Sequence, residues 1–308
     1  MELFKLINAL PGALAQGLIW GIMAIGVYIT YKILDIADLT VDGTLCTGGA
    51  VCVVAIMHGL NPYLALLLAL LAGALAGLVT GLLHTLMGIP AILAGILTQL
   101  ALWSINLVAI LGKANQAISV DKYQLLVSLR WVKDVPFQQN TIFVVACFVA
   151  VIIGLLYWFF GTELGSALRA TGANAQMARA QGINTDRNKV IGLMISNGLV
   201  ALAGALLSQF QGFADINMGR GAIVIGLAAV IIGEVLVGWI CRNFAFQLFS
   251  VAVGSVVYYL VIQVVLWAGL DSNYLKMLSA MVVAVFLAVP HWKKRLHKTR
   301  VKGDGTHA

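Results

Sequence analysis

Apolar blocks recur along this chain, separated by short polar or Gly/Pro-containing breaks. A membrane-spanning helix needs about 20 predominantly apolar residues, and nine blocks are predicted to be such spans. They run over about Ala13–Tyr31, Thr44–His58, Tyr63–Met87, Ala91–Leu111, Thr141–Phe160, Val190–Phe210, Ala222–Trp239, Phe246–Trp267 and Tyr274–Val289. Asn61-Pro62 and Gly88-Ile89-Pro90 punctuate the early blocks as helix breaks. The expected fold is an all-α polytopic membrane protein.

Composition removes the soluble alternative. Of 308 residues, 61% are hydrophobic and 10% charged, against about 25% charged in a soluble domain. Between Gly43 and Gly112 the sequence has no Asp, Glu, Lys or Arg. The formal charge of +7 gathers at Arg169–Lys189 and His291–Lys302, as the Lys/Arg excess of cytoplasmic segments does. The basic tail suits an anionic inner leaflet, so the implied partner is membrane lipid and not nucleic acid. Cys46, Cys52, Cys147 and Cys241 lie in or beside apolar blocks with no Cys-x-x-Cys pair, and read as small hydrophobes. The first block is too long for the apolar region of a signal peptide, and no cleavage site is evident.

With the basic tail inside, counting backwards places Asp271 outside, Arg242 inside, Asp215–Arg220 outside and the Arg169–Lys189 island inside. Two basic clusters thus agree on one face. The N-terminus and the loop Gly112–Gln139 fall outside, the loop as a folded cover. The whole chain, 1–308, reads as one permease-like domain: a first unit over about 13–112, the outside loop 113–139, a second unit over about 141–290, and the tail 291–308.

The two units carry related segments. Ile36-Ala37-Asp38-Leu39-Thr40-Val41-Asp42-Gly43 and Phe213-Ala214-Asp215-Ile216-Asn217-Met218-Gly219-Arg220 each follow a span and precede a run rich in small residues. They enter the membrane from opposite sides, as in an inverted repeat whose irregular segments line a transport path. Non-helical backbone at membrane depth needs protein or water around it. Asp38, Thr40, Asp42, Thr44 and Thr47, with Asp215, Asn217 and Arg220, are therefore the candidate pathway residues. The competing readings are an interfacial loop for Asp38 and close helix packing for Thr44 and Thr47.

No phosphate-binding loop of the Gly-x-x-x-x-Gly-Lys-Ser/Thr type occurs, nor His-Glu-x-x-His, Gly-x-Ser-x-Gly or Gly-x-Gly-x-x-Gly. His58 and His84 stand alone, whereas zinc needs about four ligands, so no metal or catalytic site is expected. A proton relay would place carboxylates or histidines in the spans. Glu234 is the candidate, its plainer reading being an interfacial residue, and Lys276 is expected to snorkel. A gradient-driven transporter and a non-transporting scaffold are the alternatives. Energy is more economically supplied by a cytoplasmic ATPase docking on the island Gly165–Lys189. The island is rich in helix formers, with Gly172 and Gly182 expected to divide it.

Leu168-Arg169-Ala170-Thr171-Gly172-Ala173-Asn174, Ala178-Arg179-Ala180-Gln181-Gly182-Ile183-Asn184 and Ile195-Ser196-Asn197-Gly198-Leu199-Val200-Ala201-Leu202-Ala203-Gly204-Ala205-Leu206 resemble the ABC importer permeases of the branched-chain amino acid and ribose type. The likeness is specific over about Gly165–Gly212. It implies that Arg169, Gly172, Asn174, Arg179, Gly182 and Ile183 belong to a coupling region that contacts the ATPase. Asp38-Leu39-Thr40-Val41-Asp42-Gly43 is most similar to the tryptophan/tyrosine branch. It lacks the Asn-Phe-Ala-His-Gly-like segment of leucine-type members, so an aromatic amino acid is the first expectation. The resemblance further implies a bacterial inner-membrane assembly of two permease chains (a homodimer if there is one permease type), two ATPase subunits and an extracytoplasmic solute-binding protein. ATP and Mg would sit on the ATPase, with no cofactor in this chain.

Overall fold

The computed structural model describes residues 2–132, 140–237, 243–268, 274, 277, 280–285 and 288. Ten α-helices dominate it: α1 Glu2–Tyr28, extended by a π-turn over Ile29–Ile33, α2 Val41–Met57, α3 Pro62–Thr85, α4 Ala91–Ala109, α5 Thr141–Gly161, α6 Glu163–Ala173, α7 Ala175–Ala180, α8 Thr185–Gln211, α9 Ala222–Val237 and α10 Phe244–Trp267. Six segments among the described residues are long and apolar enough to cross a membrane: Ala9–Ile33, α3, α4, α5, α8 and α10. The protein is an all-α polytopic membrane protein, with these six spans among the described residues. The predicted second and seventh spans correspond to α2, with 17 residues, and to α9, of which 16 residues are described. Part of the predicted ninth span lies outside the described residues, as do Lys133, Asp134, Cys241, Arg242, Asp271, Lys276 and the basic tail. Residues 280–285 are helical, and Val283 packs with Ala228, Ile232 and Tyr258.

α8 and α1 are the most enclosed of the long helices, and the packing around them is reciprocal. α2 and α3 lie on α8, while α9 and α10 lie on α1, and α1 and α8 touch each other. The contacts are made at small residues, as in membrane helix interfaces generally, where close backbone approach replaces a hydrophobic driving force. A Cβ on Gly73 would collide with the Asn197 carbonyl, and one on Gly77 with the Leu193 carbonyl. Between α10 and α1, Ser255 Oγ donates to the Gly17 carbonyl at 2.7 Å, and between α8 and α1, Ser196 Oγ donates to the Gly26 carbonyl at 2.7 Å. The outward faces carry exposed apolar side chains, including Leu67, Leu71 and Leu75 of α3 and Val151, Leu155 and Trp158 of α5. Such a surface suits acyl chains or another apolar helix.

The segment after α4 is folded, as a cover would be. β1 (Asn115–Ala117) pairs antiparallel with β2 (Phe213–Asp215), and Ile118, Leu125, Val127 and Val132 are buried. Arg130 reaches both oxygens of Asp121, at 3.0 and 3.2 Å. Leu126 N–H donates to Gln209 Oε1 at 2.9 Å, tying the cover to the end of α8.

Gly77→Leu is expected to cost about 1–3 kcal/mol through overpacking and to lower the detergent melting temperature by on the order of 5 °C. Gly154→Ala, where a Cβ meets nothing within 4 Å, should melt with or slightly above the parent protein. Equal melting of the two variants would contradict the close α3–α8 contact.

Candidate translocation core and coupling surface

The depth of α2 and α9 follows from what they touch along α8 and α1. α1 ends at Ile33 against Gly172 of the basic island, whereas α8 ends at Gly212, whose carbonyl accepts from Ile118 of the cover at 2.8 Å. These two ends lie on opposite sides of the bundle, separated by the length of α8, about 40 Å at 1.5 Å per residue. α2 begins beside the middle of α8, where Thr44 Oγ1 donates to Asn197 Oδ1 at 2.7 Å. α9 begins beside Met23 and Val27, at the level where α1 meets α8 through Ser196. Residues 34–40 and 212–221 therefore re-enter the bundle from opposite ends, and the N-termini of two short helices meet inside it.

Asp42 joins them. It sits in the first turn of α2, and its carboxylate accepts from the N-terminus of α9: Oδ2 from Gly221 N–H at 2.9 Å and Oδ1 from Ile223 N–H at 3.0 Å. The first N–H groups of a helix have no partner of their own, and a carboxylate there is favoured by the aligned peptide dipoles. One half-buried acid thus serves two helix starts. Cys46, one turn on, accepts from Gly219 N–H at 3.2 Å and donates to the Ile216 carbonyl at 3.3 Å. A Cβ on Gly219 would collide with the Asp42 carbonyl.

The other first-unit candidates form an interior network. Asp38 is 2% exposed; Oδ1 accepts from Thr40 N–H at 2.9 Å and Oδ2 from Asn197 Nδ2 at 2.7 Å. Thr40 Oγ1 lies 2.8 Å from Thr80 Oγ1, which donates to Thr98 Oγ1 at 2.9 Å. Four helices and the re-entrant segment 34–40 are thereby tied together by buried polar groups. Thr47 is buried too, its hydroxyl spent on the Gly43 carbonyl at 3.0 Å. The interior here is filled by protein, and these side chains face neighbours instead of open space. Asn197, Thr80 and Thr98 were not among the residues expected at the site. Polar side chains inside otherwise apolar spans were the available signal.

On the other re-entrant segment, Asp215 Oδ1 accepts from Asn217 N–H at 2.7 Å, and Oδ2 accepts from Asn115 Nδ2 at 3.4 Å. Asn217 and Arg220 are exposed, and Arg220 makes no side-chain hydrogen bond among the described residues. Of the eight pathway candidates these two alone present free polar groups at the surface.

The basic island folds as two helices and a turn, with one correction. Its break falls at Asn174, whose Oδ1 accepts from Met177 N–H at 3.0 Å and caps α7. Gly172 lies inside α6, where the missing Cβ lets that helix sit on the Ile33 carbonyl. Gly182 does make a turn, at φ +81°, followed by half-buried Ile183. Thr171 and Leu168 anchor α6 inward; Thr171 Oγ1 accepts from Asn188 Nδ2 at 3.0 Å. Arg179 is held to the start of α8, with Nε donating to Thr185 Oγ1 at 2.6 Å and an ion pair to Asp186 at 2.8 Å. Arg169 points away from α7, over the rings of Phe160 and Phe244. Met177, which sequence inspection passed over, is 61% exposed on α7. His58 and His84 bond to the carbonyls of Val54 and Ile89, both at 2.8 Å, and Glu234 pairs with Lys32 at 2.8 Å.

The family model described as the permease component of branched-chain amino acid transport systems matches residues 10–290. The chain belongs to this family. A tyrosine transport system permease protein of Clostridioides difficile is 39% identical over 297 residues, 96% of either chain. An uncharacterised protein of Rickettsia prowazekii is 35% identical over 283 residues, 91% of this chain and 97% of that one. Among solved structures, PsaBC from Streptococcus pneumoniae, determined in complex with Fab, superposes with TM-score 0.54 over 93% of this chain and 94% of that chain at 17% identity, a likeness of fold. This permease is accordingly the membrane component of an ABC transporter, without an ATPase site of its own.

Asn197→Leu in this permease would strand Asp38 Oδ2 in the interior, while the Thr44 hydroxyl keeps its bond to the Thr40 carbonyl at 3.0 Å. Each unsatisfied buried group costs about 1–3 kcal/mol, so a fall in melting temperature on the order of 5 °C is expected. An unchanged melting curve would show that the network is not closed in the membrane.

Proposed function

We propose that this permease imports an aromatic amino acid, tyrosine first, delivered by an extracytoplasmic binding protein and driven by two cytoplasmic ATPase subunits that hold ATP and Mg. The observation that carries this reading is the 39% identity, end to end, with a tyrosine transport system permease. The Asp38–Gly43 segment that carries the resemblance to the tryptophan/tyrosine branch agrees with it.

Two copies of the chain would form the membrane part, with the path between them. The reciprocal packing of α2–α3 on α8 and of α9–α10 on α1 supports an inverted repeat of two units. It agrees with the basic island inside, the cover 113–132 outside, the N-terminus outside and the C-terminus in the cytoplasm. Asp38, Thr40, Thr44 and Thr47 then position the re-entrant backbone, and Asp42 holds the two short helices together. Asn217 and Arg220, with Asp215 behind them, face the outer approach. Arg220 is suited to a carboxylate, since a guanidinium offers a planar fork of donors.

At the cytoplasmic side, α7 and its flanking turn form the coupling surface, with Asn174 shaping α7, Gly182 and Ile183 the turn, and Arg179 locking both to α8. Met177 supplies the exposed apolar contact. Because α6 rests on the end of α1, force applied at α7 reaches α1 and α8 directly.

Co-expression with the ATPase and binding protein of the same system should give ATP-dependent uptake of radiolabelled tyrosine, competed by tryptophan or phenylalanine more than by leucine. Uptake competed only by leucine or by a sugar would remove the substrate assignment, and uptake independent of ATP would remove the mechanism. Met177→Asp should lower transport-coupled ATP hydrolysis by about tenfold, the loss of one well-buried contact worth 1–3 kcal/mol, without changing the melting temperature of the isolated chain. Wild-type coupling in that variant would place docking elsewhere.

A further inference from the structure

A polar cavity of about 350 Å³ opens at the cytoplasmic end of the bundle, where α1, α6 and α10 meet. It lies away from the Asp42 junction, and Gly172 and Ala173 at the end of α6 complete its wall. Tyr28 and Lys32 reach it from α1, Arg169 from α6, and Phe244 and Gln247 from α10.

The polar groups at its wall are mostly donors. Arg169 lies with its guanidinium carbon 4.4 Å from the centroid of Phe244 and 5.4 Å from that of Phe160, and these rings contact each other edge-on at 4.9 Å. Stacking on aromatic rings occupies the faces of a guanidinium and leaves its in-plane N–H groups for an acceptor. Among the described residues, none accepts from them. Tyr28 O–H donates to Gln247 Oε1 at 3.1 Å, which turns that amide so that its oxygen is engaged and its NH₂ is left over. Lys32 adds an ammonium. Glu234 is paired with Lys32 at 2.8 Å. An oriented guanidinium, an amide NH₂ and an ammonium around one space form a receptor for an oxyanion with several acceptor oxygens.

We infer that this cavity binds a phosphate group, with Arg169 as its bidentate donor and Gln247 and Lys32 completing the shell. Its position, at the cytoplasmic ends of α1 and α10, puts it level with the headgroups of the inner leaflet under the orientation argued above. A phospholipid phosphodiester entering sideways and a free phosphate entering from the cytoplasm offer the same chemistry. The inference is independent of the transported substrate, and its failure would leave the importer reading intact.

Native mass spectrometry of the purified chain, exchanged from mixed micelles of phosphatidylglycerol and phosphatidylcholine, would test it, alongside thermal unfolding in inorganic phosphate and in chloride at matched ionic strength. Retention of phosphatidylglycerol over phosphatidylcholine by about tenfold or more, lost in Arg169→Gln and in Gln247→Leu, would establish the site with lipid as its source. Stabilisation by inorganic phosphate alone, abolished by the same variants, would establish it with a soluble source. Gln247→Leu leaves the Arg169 stack in place, so it reports on the site even if Arg169→Gln does not fold. Binding in both variants equal to wild type, or neither lipid preference nor phosphate stabilisation in the parent, would overturn the inference.

Discussion

A single carboxylate holding two helix N-termini is the contact on which the interior of this permease depends. Helix starts bring four N–H groups each that nothing in the helix satisfies, and a bilayer core has no water to take them up. Two short helices that begin inside the bundle would otherwise carry that cost at its centre. Asp42 stands in the first turn of α2 and accepts from Gly221 and Ile223 at the start of α9. Its charge lies where the partial positive ends of both helices converge. The arrangement explains why an acid, rarely tolerated in a span, is present there.

Everything around that junction keeps re-entrant backbone satisfied or close-packed. Asp38 folds the segment before α2 onto Asn197, and the threonines of α2, α3 and α4 pass hydrogen bonds from helix to helix. Small residues bring α3 onto α8 and α10 onto α1, so each of the two enclosed helices is held by a neighbour distant in sequence. Movement of α1 or α8 therefore cannot stay local. The basic island is built onto the end of α1 and the beginning of α8, through Gly172 and through Thr171 with Asn188. Under the proposed function, a push at α7 would reach the two helices that bracket the Asp42 junction.

Much of this was legible in the sequence because hydropathy reports burial in lipid directly. The long spans matched to within a few residues at most ends, and the polar island separated cleanly from them. The paired segments around Asp38 and Asp215 were visible as a repeat of Ala-Asp between apolar blocks. Hydropathy could not show where α2 and α9 begin in depth, since both are as apolar as their neighbours. Nor could it show what satisfies Asp38 and Thr44, since their partner Asn197 comes from α8. Gly172 was misread because a glycine in a polar helix signals a break as readily as a close contact, and only the neighbouring Ile33 carbonyl decides. The turn of Arg169 toward Phe244 was equally invisible, the two being far apart in sequence.

Hydrogen exchange across residues 216–226, in wild type and in Asp42→Ala reconstituted in nanodiscs, tests the central claim most directly. The junction predicts strong protection of the Gly221 and Ile223 amides in wild type and its selective loss in the variant, with the start of α10 unaffected. Rapid exchange of those amides in wild type, or protection that survives removal of the carboxylate, would show that Asp42 does not hold α9 to α2.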